Sequence, residues 1–153
     1  MTEMEDRAAD MARAGRITRG VRRSLAGRGF RSLTEFRLRS GRRADVLAVN
    51  DAGDVVIVEV KSSVADFRAD RKWPEYQEFC DAFFFAVGDD FPLDLIPETC
   101  GLMVADAYEA AVLREAPVMK LNSARRKSLV LDVALIACGR LHRLEDPGCD
   151  PGV

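Results

Sequence analysis

Apolar residues recur along this chain with two different periods. Ile17, Val21 and Leu25 stand at helical spacing ahead of Gly27 and Gly29, which predicts a first helix over residues 10–27 with an arginine-rich outer face. The period then drops to two. Residues 33–38 alternate apolar with polar, and residues 43–50 and 55–61 are two β-branched apolar runs joined by Asn50, Asp51 and Gly53. That pattern predicts one strand followed by a β-hairpin. Ser63 and Asp66 have capping-box spacing, with Asp in place of Glu or Gln, and open a short helical segment. Trp73 and Pro74 stand at the entry of another helix running to about Asp81, since Pro is tolerated in a first turn. Residues 82–87 and 101–105 read as buried strands, and residues 110–113 as a strand near an edge. A final helix is expected over residues 123–141, with Leu129, Val133, Ile136 and Leu141 roughly on one face. Pro147, Gly148, Pro151 and Gly152 mark the end of the chain as a disordered tail.

This order is α/β. Residues 1–15 are expected as a flexible N-terminal extension or the start of the first helix, 16–143 as one domain with a mixed sheet flanked by helices, and 144–153 as the tail.

Charges interrupt the hairpin at three places. Asp45 stands near the start of its first strand, and Glu59 and Lys61 near the end of its second. The second strand is apolar at both parities, which predicts cover on both faces and a central position. Charged side chains almost never enter such strands unpaired. Glu59 and Lys61 share a face because side chains alternate, and the hairpin brings Asp45 alongside. Two carboxylates beside an ammonium form a Mg²⁺ site with a lysine next to it, because Mg²⁺ takes oxygen ligands and is held by one or two carboxylates plus substrate phosphate oxygens. Such a metal activates water and polarises a phosphodiester, while Lys61 can orient that water or neutralise developing charge. The alternative is an exposed Glu59–Lys61 ion pair, contributing about 0–1 kcal/mol, with Asp45 paired to Arg42 or Arg43.

Asp45 and the Glu59-x-Lys61 pair match, in order and spacing, the acidic residue and acidic-x-Lys motif of the PD-(D/E)xK, or restriction-endonuclease-like, superfamily. Ala44 stands where that motif frequently has Pro. The match narrows further. Ile17 to Gly20, Gly41 to Asp45, Glu59 to Ser63, Asp66 to Tyr76 and Phe84 to Val87 resemble the bacterial MmcB family of DNA repair proteins over about residues 16–141. The resemblance implies a restriction-endonuclease-like core in αβββαβ order, with Asp45, Glu59 and Lys61 catalytic and Mg²⁺ or Mn²⁺ held by Asp45 and Glu59. It also implies a metal-dependent endonuclease acting on DNA in repair. In many superfamily nucleases a Gln or Lys followed four residues later by Tyr borders the site; Lys72 with Tyr76 resembles that element and is expected to grip the DNA phosphate backbone, with a core aromatic whose hydroxyl sits at the edge as the alternative for Tyr76. A non-catalytic, structure-specific DNA-binding or scaffold module is the alternative, and a Mg²⁺-dependent interaction domain with no nucleic-acid role is a third reading.

Several further residues are candidates. Glu35 reaches the metal if it faces Asp45, with exposure to solvent as the alternative. Trp73 either stacks on a base or packs between helix and sheet. Asp66 and Asp70 are expected to cap, or to pair with Arg68, Arg71 or Lys72, rather than to bind metal.

The net charge of −2 argues against a simple DNA-coating protein, but its distribution is uneven. Twelve arginines lie between Arg7 and Arg43 against only Asp10 and Glu35, and the planar guanidinium suits phosphate. Arg19, Arg22, Arg23 and Arg43 are therefore candidate DNA contacts, with a solvated helix face as the alternative. DNA is the expected partner; a second copy of the chain and other DNA repair proteins remain open. No run approaches the roughly 18 apolar residues of a membrane helix, so no membrane partner and a cytoplasmic location are expected. Cys80, Cys100, Cys138 and Cys149 contain no Cys-x-x-Cys pair, which suggests neither zinc nor disulfides, and the first three are expected as core or near-core thiols. The single histidine, His142, is expected at the surface beside Arg140 and Arg143.

Overall fold

A computed structural model describes residues 2–150. The chain divides after Lys120 into two compact units, at a point where composition carries no linker signal. The first unit holds one sheet of six strands: β1 (Arg31–Arg37), β2 (Arg43–Val49), β3 (Val55–Lys61), β4 (Ala82–Val87), β5 (Gly101–Ala105) and β6 (Ala110–Arg114), in spatial order 1-2-3-4-5-6. β1, β2 and β3 form an antiparallel meander, β3, β4 and β5 run parallel, and β6 returns antiparallel at the edge. Parallel neighbours need a crossover, and residues 62–81 supply it between β3 and β4. The crossover holds helix α2 (Val64–Ala69), capped by the Ser63 hydroxyl accepting from the Asp66 amide, and a 3₁₀ helix, Trp73–Phe79. The predicted capping box is only half made, since Asp66 reaches the Ser62 amide at 3.4 Å instead of closing on Ser63.

Helix α1 (Glu3–Gly27) begins seven residues before the periodicity predicts, because Thr2 and Glu5 close a capping box over a polar first turn. It lies across all six strands. Ile17, Val21 and Leu25 bury against Val46, Val58, Val60, Phe84 and Met103, the face set by even-numbered positions of β2, β3 and β4. At Gly20 the helix approaches the turn after β5 so closely that a Cβ would lie 1.9 Å from the carbonyl oxygen of Asp106, so only glycine fits. The opposite face carries Phe83 and Phe85, on which Phe67, Trp73 and Tyr76 pack as ring pairs 5.3–6.2 Å apart. β3 is buried at all seven positions, as its two-sided apolar pattern predicts. This mixed α/β architecture is compatible with a restriction-endonuclease-like core.

The second unit is helix α3 (Ser123–Glu145) with a turn beyond it. The Asn122 side chain caps it by accepting from the Arg125 amide at 2.8 Å. The helix runs four residues past the expected end, and residues 146–149 close a hydrogen-bonded turn. Of the expected tail, residues 151–153 lie outside the described residues.

Candidate functional site

The β2–β3 ladder ends at Val46 and Val58, while β3 stays paired with β4 as far as Lys61. Beyond that point carboxylates take over the backbone donors. The Asp45 amide donates to Glu59 Oε1 at 3.0 Å, and the Val60 amide donates to Asp45 Oδ2 at 2.8 Å. Each acid therefore holds the other's neighbourhood open where two strands part. Both line one cavity of about 680 Å³ together with Lys61, Glu35, Arg43, Asp66 and Tyr76, with Met11, Ala14, Gly15 and Thr18 of α1 forming another wall. The sequence-predicted trio thus converges.

Burial decides the electrostatics. Glu59 is 4% exposed and Lys61 5%. Burial, then the adjacent Asp45 charge, pushes the Glu59 carboxyl up to about 9. Burial also raises Asp45, against the Val60 amide and the Lys61 charge. Two neighbouring acids that both resist ionisation want a cation. Their oxygen donors would suit a hard divalent ion such as Mg²⁺ or Mn²⁺.

Lys61 does not form the ion pair with Glu59 that the alternative reading requires. Its Nζ donates to Asp70 Oδ2 at 2.8 Å. Burial alone pulls the ammonium down, but the Asp70 bond and the charges of Asp66, Asp70 and Glu59 outweigh it, so Lys61 is held charged. Asp70 is correspondingly lowered: its own burial is outweighed by Lys61 and the Lys72 amide. Asp70 therefore pairs with Lys61 and caps the next segment through Oδ1, rather than pairing with Arg68, Arg71 or the Lys72 side chain. No spacing marks this contact; the only signal is the general rule that a buried lysine needs an acid. Arg42 pairs with Glu75 rather than with Asp45.

Glu35 sits on β1 between two regular pairs, Thr34 with Val46 and Phe36 with Ala44, directly across from Asp45. Its φ of 49° is left-handed, a conformation that costs of order 1–3 kcal/mol in a non-glycine residue and clusters at functional sites. The twist turns this exposed residue to the cavity wall.

The 3₁₀ geometry separates Lys72 from Tyr76. Residues three apart eclipse in a 3₁₀ helix, so a pair four apart no longer shares a face. Tyr76 is buried, lines the cavity and donates its hydroxyl to the Arg43 carbonyl at 2.9 Å, whereas Lys72 is exposed and does not line the cavity. Burial, then the charges of Glu59, Asp45 and Asp70, raises Tyr76 far above its ordinary value, so it acts as a donor. Trp73 packs on Phe83 and Phe85, the packing alternative.

Arg19, Arg22 and Arg23 are exposed on α1 and, with Arg31 and Ser32, line a groove of about 610 Å³. Gly15 and Thr18 line both this groove and the acidic cavity, so the two are continuous. Arg22 is aimed by bonds to the Ser32 hydroxyl (2.9 Å) and carbonyl (3.0 Å), and Arg19 lies 5.5 Å over the Tyr108 ring. Arg43 is exposed at the cavity mouth. Among the thiols, Cys80 and Cys100 are buried as expected, but Cys138 is exposed. Among the described residues no helix is long and apolar enough to cross a membrane.

No curated protein matches this chain. A solved structure of the SPO1766 protein of unknown function from Silicibacter pomeroyi is 45% identical and superposes with a TM-score of 0.86, over 92% of this chain and 97% of that one. A family model described as DNA repair protein MmcB-like matches residues 2–148 and takes in every element that builds the cavity and its groove. The chain belongs to the MmcB-like family of DNA repair proteins.

Proposed function

We propose that this protein is a Mg²⁺- or Mn²⁺-dependent deoxyribonuclease of DNA repair, in the PD-(D/E)xK superfamily. The observation that carries the reading is the pair of acids Asp45, half-buried, and Glu59, buried, held side by side where β2 and β3 part and both pushed toward the protonated form. A structural role does not require two such acids in a core; a cation does. Asp45 and Glu59 would hold the ion, with Glu35 as a third carboxylate across the strand. When bound, it supplies Lewis-acid polarisation of a phosphodiester and a more acidic water.

The chain's own groups do the rest. Lys61, kept charged by Asp70, offsets negative charge at the scissile phosphate. Tyr76 ties the 3₁₀ helix to the start of β2 through the Arg43 carbonyl and so fixes the cavity wall. Arg19, Arg22, Arg23 and Arg43 contact phosphates beyond the cut, the arginine groove leading directly into the cavity. Phosphate contacts position a duplex without reading its sequence, which suits a repair substrate defined by structure.

The Lys61–Asp70 pair favours one second reading: the ammonium is already neutralised by protein, as in a structure-specific DNA-binding or scaffold module without turnover. Incubating the pure protein with branched, flapped, nicked and single-stranded DNA in Mn²⁺ separates the two. Cleavage lost in Glu59→Gln supports the nuclease. Binding without cleavage, unchanged in Glu59→Gln, supports the scaffold.

A further inference from the structure

The last turn of α3 and the turn after it bring together three donors that the acidic cavity does not use. His142 and Asp146 are one helical turn apart, and the Asp146 amide closes the helix by donating to the His142 carbonyl at 2.8 Å. Pro147 cannot continue the helix. The chain folds back instead, with the Cys149 amide donating to the Asp146 carbonyl at 3.0 Å. One ring nitrogen, one carboxylate oxygen and one sulfur then lie within 4.8 Å of one another. Among the described residues none of these three side chains has a hydrogen-bond or ion-pair partner.

We propose that His142, Asp146 and Cys149 form a binding site for zinc or a similar borderline-soft divalent ion. The donor set selects the class. Hard cations such as Mg²⁺ and Ca²⁺ take oxygen, whereas zinc takes thiolate, imidazole and carboxylate together. One carboxylate and one thiolate neutralise the ion's double charge. Tetrahedral bonds of about 2.0–2.3 Å place ligand atoms roughly 3.4 Å apart. The three donors must therefore close by about an ångström, and rotation of these largely exposed side chains supplies that movement. The fourth position is left to water. On binding, the thiol releases one proton and its sulfur keeps the electron pair, with no change of oxidation state. This site is independent of the acidic cavity: it lies wholly in the C-terminal unit and its chemistry is nitrogen and sulfur rather than oxygen alone. The absence of a Cys-x-x-Cys pair hides it from a cysteine count, because only the backbone turn at Pro147 and Gly148 places Cys149 back on the helix end.

Cobalt(II) titration of the full-length reduced protein tests it. One equivalent of cobalt is expected to give a thiolate-to-cobalt charge-transfer band, bleached by adding zinc. Cys149→Ser and His142→Ala should lose the band, while Cys138→Ser and Glu59→Gln should keep it. Zinc should also slow alkylation of Cys149 at least about tenfold, on the scale by which weakened ligation changes metal affinity, and leave Cys138 unprotected. No band in the wild type overturns the proposal. A band that survives Cys149→Ser but disappears in Cys138→Ser overturns it equally, because a different thiol would then be the ligand.

Discussion

The acidic cavity and the arginine groove share two residues of α1, Gly15 and Thr18, yet their charges stand under opposite physical constraints. In the cavity, Asp45, Glu59 and Lys61 sit on strands, and the latter two are almost wholly removed from water. In the groove, Arg19, Arg22 and Arg23 are exposed on a helix whose apolar seam is turned the other way. Burying a charge is costly unless it is paired, whereas an exposed arginine on a helix costs little. The cavity's charges therefore need a reason that packing does not provide, while the groove's charges need one only in combination. On the function proposed above, the first serves chemistry and the second serves contact with a polyanion.

The largest expected effect lies at the acids. Glu59→Gln or Asp45→Asn should abolish metal-dependent cleavage while leaving far-ultraviolet circular dichroism unchanged. The amides are the informative variants, because each keeps an oxygen for the backbone N–H it serves, whereas alanine would orphan a buried donor. Cleavage at the wild-type rate in both amides would move the chemistry elsewhere.

Next comes Lys61. Lys61→Ala should lower the single-turnover rate by about 10²–10³, as for one electrostatic donor, and change DNA affinity far less. Equal losses in rate and affinity would reduce it to a phosphate clamp. Asp70→Asn should reproduce part of this rate loss without touching metal affinity. An unaltered rate in Asp70→Asn would show that Lys61 needs no positioning.

Stability should carry the signature of the buried acids. Glu59 titrates near 9 in the folded chain and near the usual 4.5 when unfolded. The folded state therefore keeps a proton that the unfolded state has lost, so in chelator the contribution of Glu59 to stability is fully present below about pH 4.5 and is lost as pH rises toward 9. Glu59→Gln removes this loss. At pH 8 in EDTA it should melt above wild type by about 2–8 °C, equivalent to roughly 1–2 kcal/mol for a chain of this size, and the gain should vanish at pH 4. A variant that melts lower at pH 8 would mean that Glu59 is a structural partner rather than a suppressed charge.

The smallest effect belongs to the groove. Log affinity for duplex DNA should fall with log salt by about 0.9 per phosphate neutralised, and removing one arginine that neutralises a phosphate should flatten that slope by about the same amount. Arg22→Ala with Arg23→Ala should weaken binding to all sequences alike and leave metal affinity unchanged. Slope and affinity identical to wild type would return this face to solvent and erase the comparison.

Local pattern carried most of the architecture. The period-two runs, the turn at Asn50 and Gly53 and the two-sided apolar character of residues 55–61 were sufficient for the meander and its central strand, because a strand covered on both faces leaves no polar alternation. The same strand made Glu59 and Lys61 conspicuous, since charges there contradict burial. What the pattern could not supply was anything that depends on a second element. The Lys61–Asp70 pair joins residues nine apart across a helix whose direction no local signal sets. The separation of Lys72 from Tyr76 follows from a 3₁₀ rather than an α winding of residues 73–79, where Trp73 packs on Phe83 and Phe85 and Tyr76 packs on Phe83. The left-handed Glu35 stands inside an otherwise regular strand because the flanking pairs fix it there.

The sequence by itself thus determined which residues are apolar, which strands are buried and which three charges are anomalous, because periodicity and desolvation act residue by residue. Tertiary structure alone decided where the β2–β3 ladder stops, which acid holds the lysine and that the arginine groove opens into the acidic cavity, because those depend on register, crossover and the seating of α1 on the sheet.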